Sequence, residues 1–242
     1  MRRELDINGV KVNAEFTQKD VDAVFLPLLR EWTERQRERA ARLIVFLAAP
    51  PGAGKSTLAA ELERLSQERA GLARVQALGM DGFHYRADYI ATHTVERGGE
   101  RIPMERVKGA PESFDVSKLL RVLEALREAD GRFPRYDRRI HDVVEDAIMV
   151  HAPVVLLEGN WLLLDRPEWR ALPRDYAVYL DAPEDLVRGR VMERRLATGR
   201  TADEAERLWL ECDGPNAALC ARCHTVPDAL LQIRAGRFER VF

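Results

Sequence analysis

Lys55 and Ser56 stand directly behind Gly54 in the stretch Ala49-Pro50-Pro51-Gly52-Ala53-Gly54-Lys55-Ser56-Thr57. An ammonium and a hydroxyl presented in succession after a glycine turn suit a nucleoside triphosphate. Successive backbone N–H groups of such a loop line a concavity for phosphate oxygens. The helix that opens behind it adds unpaired N–H groups and its positive dipole end. Lys55 can set its charge against the β- and γ-phosphates, and Ser56 can set its hydroxyl against Mg²⁺, with Thr57 beside it. Pro51, Gly52, Ala53 and Gly54 complete the candidate ATP cradle. The pattern G-x-x-x-x-G-K-[ST] has one departure: Ala49 occupies the place of its first glycine. Alanine serves there as long as its φ is negative.

Two acids stand at the ends of apolar runs. Ala73 to Met80 reads as a strand leading into Asp81-Gly82-Phe83-His84-Tyr85. A carboxylate just past the C-terminal end of a parallel strand lies where ligands bind in open α/β sheets. If that strand neighbours the one before the glycine loop, Asp81 faces the γ-phosphate and can take a proton from an acceptor hydroxyl. Val154 to Leu157 runs into Glu158-Gly159-Asn160-Trp161, the Walker B arrangement, in which the acid holds Mg²⁺ directly or through water. Arg190 and Arg194 are i, i+4 neighbours on one helix face, suited to the charge spread over a phosphoryl group in flight. The stretch from Phe133 to His141 mixes aromatic, acidic, basic and imidazole groups, a lining able to hold a polyhydroxylated acceptor. Lys108 is a candidate substrate contact or a solvated lysine.

These residues need a frame to position them. Leu43 begins an apolar run that reads as a buried parallel strand, and Leu58 and Leu62 share a face of the helix after the loop. Residues 1–16 read as irregular or β-like; Thr17 caps a turn, and Pro27 begins or kinks a helix holding Leu28, Leu29 and Trp32, so 1–42 is expected to be an N-terminal helical extension. The segment 82–113, with no clean periodicity beyond Tyr85, is expected to be a substrate-side insertion. Phe114 to Ala129 is an amphipathic helix ended by Gly131. Tyr176 to Leu180 is a further strand, and Pro183 starts a lid-like arginine-bearing segment over 183–200. Thr201 begins a helix that Asp213-Gly214-Pro215-Asn216 should interrupt. Ala229 to Ile233 and Phe238 to Val241 read as a closing hairpin.

The 242 residues suit a single α/β domain. A net charge of -2, from 38 basic and 40 acidic residues, leaves no global basic field for nucleic acid. No apolar run reaches a membrane-spanning length, and the start MRRELDINGVKVNAEF has no signal-like apolar region, so neither a membrane nor a nucleic acid is expected as a partner and the cytoplasm is the expected location. Cys220-Ala-Arg-Cys223-His224 spells C-x-x-C-H, and Cys212 with His224 would complete a four-ligand set. With no export segment and no second ligand pair, reduced thiols in or near a C-terminal helix are the expectation.

The ordered motifs APPGAGKST, MDGFHY, KGAPESFDV, PRYDRRIH and LLEGNWLLL, followed by the arginine-bearing segment to GRT, resemble the P-loop kinases of the uridine kinase, pantothenate kinase and phosphoribulokinase group. The resemblance spans roughly residues 43–220 and is closest to bacterial members described as fructose transport system kinases. It implies an α/β, P-loop NTPase-type three-layer fold, with a mostly parallel central sheet and helices on both faces. It implies ATP and Mg²⁺ as cofactors, a small-molecule acceptor as partner, and a homodimer as the assembly to be considered. Asp81 matches the group's catalytic base, Lys55 and Ser56 its phosphate and magnesium residues, and Glu158 its strand-end glutamate. Tyr136 and His141 match positions that contact the nucleoside in uridine kinases. Arg190 and Arg194 match acceptor and lid arginines, with helix spacing that differs by a residue before Gly199-Arg200. Phe83, His84 and Tyr85 join Asp81 and Lys108 as substrate-binding candidates. Acceptors rank as a sugar such as fructose, then a nucleoside, then pantothenate. The rival reading is a regulatory NTPase without a small acceptor. It wants N-K-x-D and a D-x-x-G after the loop, whereas the one D-x-x-G, Asp6 to Gly9, precedes it.

Overall fold

The computed structural model describes residues 2–7 and 10–242. Met1, Asn8 and Gly9, within the expected irregular or β-like start, lie outside the described residues. Strands β1 (Arg2–Ile7) and β2 (Val10–Glu15) pair antiparallel. Thr17 then caps a helix: its hydroxyl accepts from the Asp20 N–H at 3.1 Å while the Asp20 carboxylate accepts from the Thr17 N–H at 2.7 Å. The helix runs through α1 (Gln18–Asp20), a π-helical turn at Val21–Phe25 and α2 (Leu26–Arg39), ending at left-handed Ala40. The expected extension is therefore part of the body: Leu28, Leu29 and Trp32 are core residues.

The buried strand β3 (Leu43–Ala48) leads through the glycine loop to α3 (Lys55–Glu68) and β4 (Val75–Gly79). The expected irregular insertion has structure of its own. It holds α4 (Ala87–Thr92) and the hairpin β5 (Thr94–Arg97)–β6 (Glu100–Pro103), closed over Ile90, Val95, Met104, Val107 and Ala110. Five apolar residues spread from Ile90 to Ala110 are too sparse to show a period. Asp115 caps α5 (Val116–Glu128). Gly131, expected to end that helix, instead begins β7 (Gly131–Asp137), paired with β8 (Asp142–Val150). The remaining elements are β9 (Val154–Gly159), α6 (Pro167–Arg170), β10 (Tyr176–Asp181), α7 (Glu184–Ala197), α8 (Ala202–Leu208), α9 (Gly214–Arg222), β11 (Ala229–Arg234) and β12 (Arg237–Arg240).

The expected break at Asp213–Asn216 is absent. A π-helical turn at Trp209–Asp213 joins α8 to α9, as Val21–Phe25 joins α1 to α2. A proline follows two residues after each turn, Pro27 and Pro215. A proline ring clashes with the carbonyl four residues back in a regular helix, and a widened turn accommodates it without ending the helix.

The central sheet has the order β12-β11-β10-β3-β9-β4, parallel throughout except for edge strand β12. Side-chain alternation divides it cleanly. Leu43, Val45 and Leu47 of β3 face a core shared with α2, α3 and α7; Ile44, Phe46 and Ala48 face one shared with α5, α6 and α9. Helices thus cover both faces. Among the described residues no helix is long and apolar enough to cross a membrane.

Asp20 ties the first helix to the far sheet edge. It is 2% exposed, accepts from the Phe238 N–H at 3.1 Å and lies 3.6 Å from Arg237 Nε. Burial pushes its carboxyl up, but bonds from Thr17 and Phe238 and the charge of Arg237 hold it below its ordinary value. Such a group stabilises the fold above its unfolded pKa and loses that contribution as pH falls through the folded value. Asp20→Ala should cost about 2–4 kcal/mol in urea unfolding at pH 7. The gap between variant and wild type should narrow below about pH 4.

Candidate active site

The glycine loop leaves β3 at Ala49, which is fully buried and lies outside the left-handed region, so alanine fills the first pattern position without strain. Left-handed geometry falls on Gly52 (φ 83°) and Gly54 (φ 98°). A Cβ on Gly52 would meet the Val187 carbonyl oxygen at 2.8 Å, so α7 packs directly on the loop. Gly54 caps α3 without a side-chain bond, which leaves first-turn N–H groups for a ligand. Pro51 and Ala53 are buried, and the Thr57 hydroxyl donates to the Gly54 carbonyl at 2.7 Å, so these residues shape the loop. Lys55 and Ser56 open α3 half-buried.

Ser56 Oγ donates to Glu158 Oε1 at 2.7 Å. Glu158 ends β9, in register with Leu47 of β3 on one side and Gly79 of β4 on the other. Burial pushes the Glu158 carboxyl up and nearby Asp81 adds to that, against the charge of Lys55 and the Ser56 bond. A buried carboxylate that favours its proton is short of positive charge. An oxygen-only pair, hydroxyl plus carboxylate, suits a hard cation, so Ser56 and Glu158 fit Mg²⁺.

Asp81 lies in a 3₁₀ turn, Met80–Phe83, just past β4. It stands on the same sheet edge as the loop and Glu158. The condition set from the sequence, that its strand neighbours β3, is not met: β9 lies between them. Parallel pairing of a hydrophobic run to either side says nothing of order, so this was not readable. Burial opposes ionisation of Asp81, but His84, Arg138, Lys55 and Arg194 outweigh it and hold the carboxyl below its ordinary value. Arg138 Nη2 is 3.9 Å from Asp81 Oδ2. His84 Nδ1 lies 2.9 Å from the Asp81 carbonyl oxygen. Burial lowers the His84 pKa further than Asp81 raises it.

The other candidates divide. Tyr136 lies 5.3 Å from His84 between ring centroids, and Lys108 Nζ sits 5.5 Å over the Tyr136 ring; these three form one wall. Phe83 does not join them. It is 1% exposed and packs edge-on against Phe133 at 5.1 Å, a core role. Tyr85 stacks on Tyr89, which stacks on His93, within the insertion. His141 is an exposed turn residue with φ 53° whose carbonyl accepts from Lys108 Nζ at 3.4 Å. Arg190 Nη1 donates to the Ala53 carbonyl at 2.9 Å, so it braces the loop, while Arg194 adds to the positive field on Asp81. The lid-like segment is no free flap, since Val187 and Val191 are core residues. Arg138 was missed. Its only signal was its place two residues past Tyr136, in a chain rich in arginine. Of the thiols, Cys220 is buried with Sγ donating to the Asn160 carbonyl at 2.9 Å, Cys212 bonds the Lys108 carbonyl at 3.6 Å, and Cys223 is exposed.

Residues 44–217 match the model of the phosphoribulokinase / uridine kinase family. The chain is 41% identical to the uncharacterised Escherichia coli protein YggC over 89% of both chains. It is 32% identical to a provisionally assigned uridine kinase of Schizosaccharomyces pombe, covering 79% of this chain and 83% of that one. Its fold is similar to that of a provisionally assigned fructose transport system kinase from Silicibacter, with TM-score 0.75 and 29% identity, covering 86% of this chain and 98% of that one.

Gly82 sets the approach of this turn to β7. A Cβ there would press into the Pro134 carbonyl, whose carbon lies 2.7 Å away. Gly82→Ala must therefore push β7 off the turn and part Asp81 from Arg138. A loss of about 1–3 kcal/mol is expected in thermal or urea unfolding, with a larger proportional loss of turnover than of ATP affinity.

Proposed function

Because the chain belongs to the phosphoribulokinase / uridine kinase family, we propose that it transfers the γ-phosphoryl group of ATP to a hydroxyl of a small polyhydroxylated metabolite, a sugar or sugar derivative. The observation that carries this reading is the placement of the Asp81 carboxylate, just past β4 at the end of the sheet that also carries Lys55, Ser56 and Glu158, with Arg138 3.9 Å away. A P-loop switch needs one acid on the metal side, the part Glu158 fills; a kinase needs a second carboxylate to receive a hydroxyl proton, and Asp81 supplies it.

The loop amides and Lys55 bind and orient the triphosphate. Ser56 and Glu158 would hold Mg²⁺, which supplies neutralisation of phosphate charge. Asp81 accepts the hydrogen bond of the acceptor hydroxyl and takes its proton as the acceptor oxygen bonds to phosphorus and the bond to ADP breaks. Arg194 stabilises charge on the phosphoryl group in transit, and Arg190 keeps the loop in shape. Most of the rate gain comes from position and electrostatics. Mg²⁺-dependent catalysis, cytoplasmic location and dimeric assembly belong to the same proposal.

Asp81→Asn keeps the shape and removes the base, so turnover should fall on the order of 10²–10⁴-fold with ATP affinity nearly unchanged. Lys55→Met should weaken ATP binding as well. Coupled ADP-release assays against sugars, nucleosides and pantothenate provide the measurement. Near-full turnover in Asp81→Asn removes the assigned role, and ADP release indifferent to every metabolite removes the kinase reading in favour of an NTPase.

A further inference from the structure

The cation nearest the acceptor wall has nothing to neutralise it. Lys108 is half-buried, yet among the described residues no carboxylate pairs with it. Its ammonium has only the 3.4 Å contact to the His141 carbonyl and the Tyr136 ring. Lys118, by contrast, bonds both oxygens of Glu145. The backbone under Lys108 is fixed. Its carbonyl accepts from Cys212 Sγ, and the next residue, Gly109, turns at φ 94°. The Gly109 N–H donates to Ser113 Oγ at 2.9 Å and its carbonyl accepts from Trp161 Nε1 at 3.0 Å.

The surrounding charge is also one-sided. Asp81 is acted on by His84, Arg138, Lys55 and Arg194, and His84 by Lys108 and Arg138; Lys55 and Arg194 serve the triphosphate, which leaves Lys108 and Arg138 for the acceptor. Other acids near the wall are engaged. Asp137 is held by Arg139 at 2.6 Å, and Asp142 accepts from the Val143 and Ala87 N–H groups. A sugar hydroxyl can accept from Lys108, but a charge-assisted bond to an anion is the stronger use of an ammonium with no paired acid. What the wall offers is the Lys108 ammonium beside the Tyr136 and His84 rings.

We propose that the acceptor carries an anionic group, a carboxylate or a phosphate, bound by Lys108 with the support of Arg138, while its hydroxyl lies against Asp81. This rests on the kinase reading above and narrows it to sugar acids or sugar phosphates.

The test uses matched sets: a neutral sugar, its aldonic acid and its monophosphate, titrated calorimetrically into the full chain with MgADP, and assayed for ADP release with MgATP. The charged members should bind at least tenfold more tightly than their neutral counterpart. Lys108→Gln should weaken them about tenfold to hundredfold and raise their KM with little change in kcat. Lys108→Arg should restore much of the affinity, and Lys118→Gln, remote from the site, should change nothing. The carboxylate and phosphate arms show which anion is selected. The proposal falls if neutral sugars or nucleosides bind as tightly as the charged members, if no charged member binds, or if Lys108→Gln leaves charged binding intact. Asp81-dependent turnover of a neutral acceptor alone overturns it while leaving the kinase reading standing. Absence of Asp81-dependent turnover with any acceptor overturns the kinase reading itself.

Discussion

Strand β9 lies buried between β3 and β4, and its pairing register brings three strand ends to one line. Glu158 sits beside Leu47 and beside Gly79, so the acid emerges where the phosphate loop leaves on one side and the Asp81 turn leaves on the other. Strands are spaced about 4.8 Å apart, which sets the loop and Asp81 turn about 10 Å from one another. That is room for a transferred phosphoryl group and an acceptor oxygen. The Ser56–Glu158 hydrogen bond fixes the first turn of α3 to this line. A slip of one residue in β9 would turn Glu158 to the opposite face of the sheet and bury a charge among leucines.

Electrostatics then divides the work between two carboxylates in similar shelter. Burial pushes both upward, yet Glu158 ends above its ordinary value and Asp81 below. The difference lies in the neighbours. Glu158 feels the negative charge of Asp81, with Lys55 and Ser56 as its counterweight. Asp81 collects positive charge from His84 just past its own turn and from three further elements: Arg138 in the turn after β7, Lys55 on α3 and Arg194 on α7. Environments that separate two acids in this way assign them different chemistry: one suits a cation and the other a proton in transit.

The parts that were legible in the chain are those in which local pattern and chemistry coincide. The glycine loop, Lys55, Ser56 and both strand-end acids are announced by apolar runs that stop at a charged residue. The caps at Thr17 and Asp115 are equally local. What escaped depends on long-range contact. No run of letters says that β9 intervenes between β3 and β4. Phe83, taken with its neighbours as a substrate contact, is drawn into the core by Phe133, fifty residues away in the chain. Arg138 matters only because the β7–β8 turn returns to Asp81. Pro215 looked like a stop and is absorbed by a widened turn.

The packing also decides which parts can move. Helix α7 carries the arginines that a lid would carry, but Val187 and Val191 lie in the core, and the Val187 carbonyl presses on Gly52. Swinging α7 away as a unit would strip the phosphate loop of its support and expose that core, at a cost of several buried side chains. The insertion is held differently. Its cluster has five buried apolar residues, joined by Tyr85 and Ile102, and stands apart from the two cores that flank the sheet. Segments with few buried contacts open at the least free energy. On the kinase reading proposed above, the part free to close over an acceptor is the insertion that carries Lys108, because it shares the fewest buried contacts with the sheet.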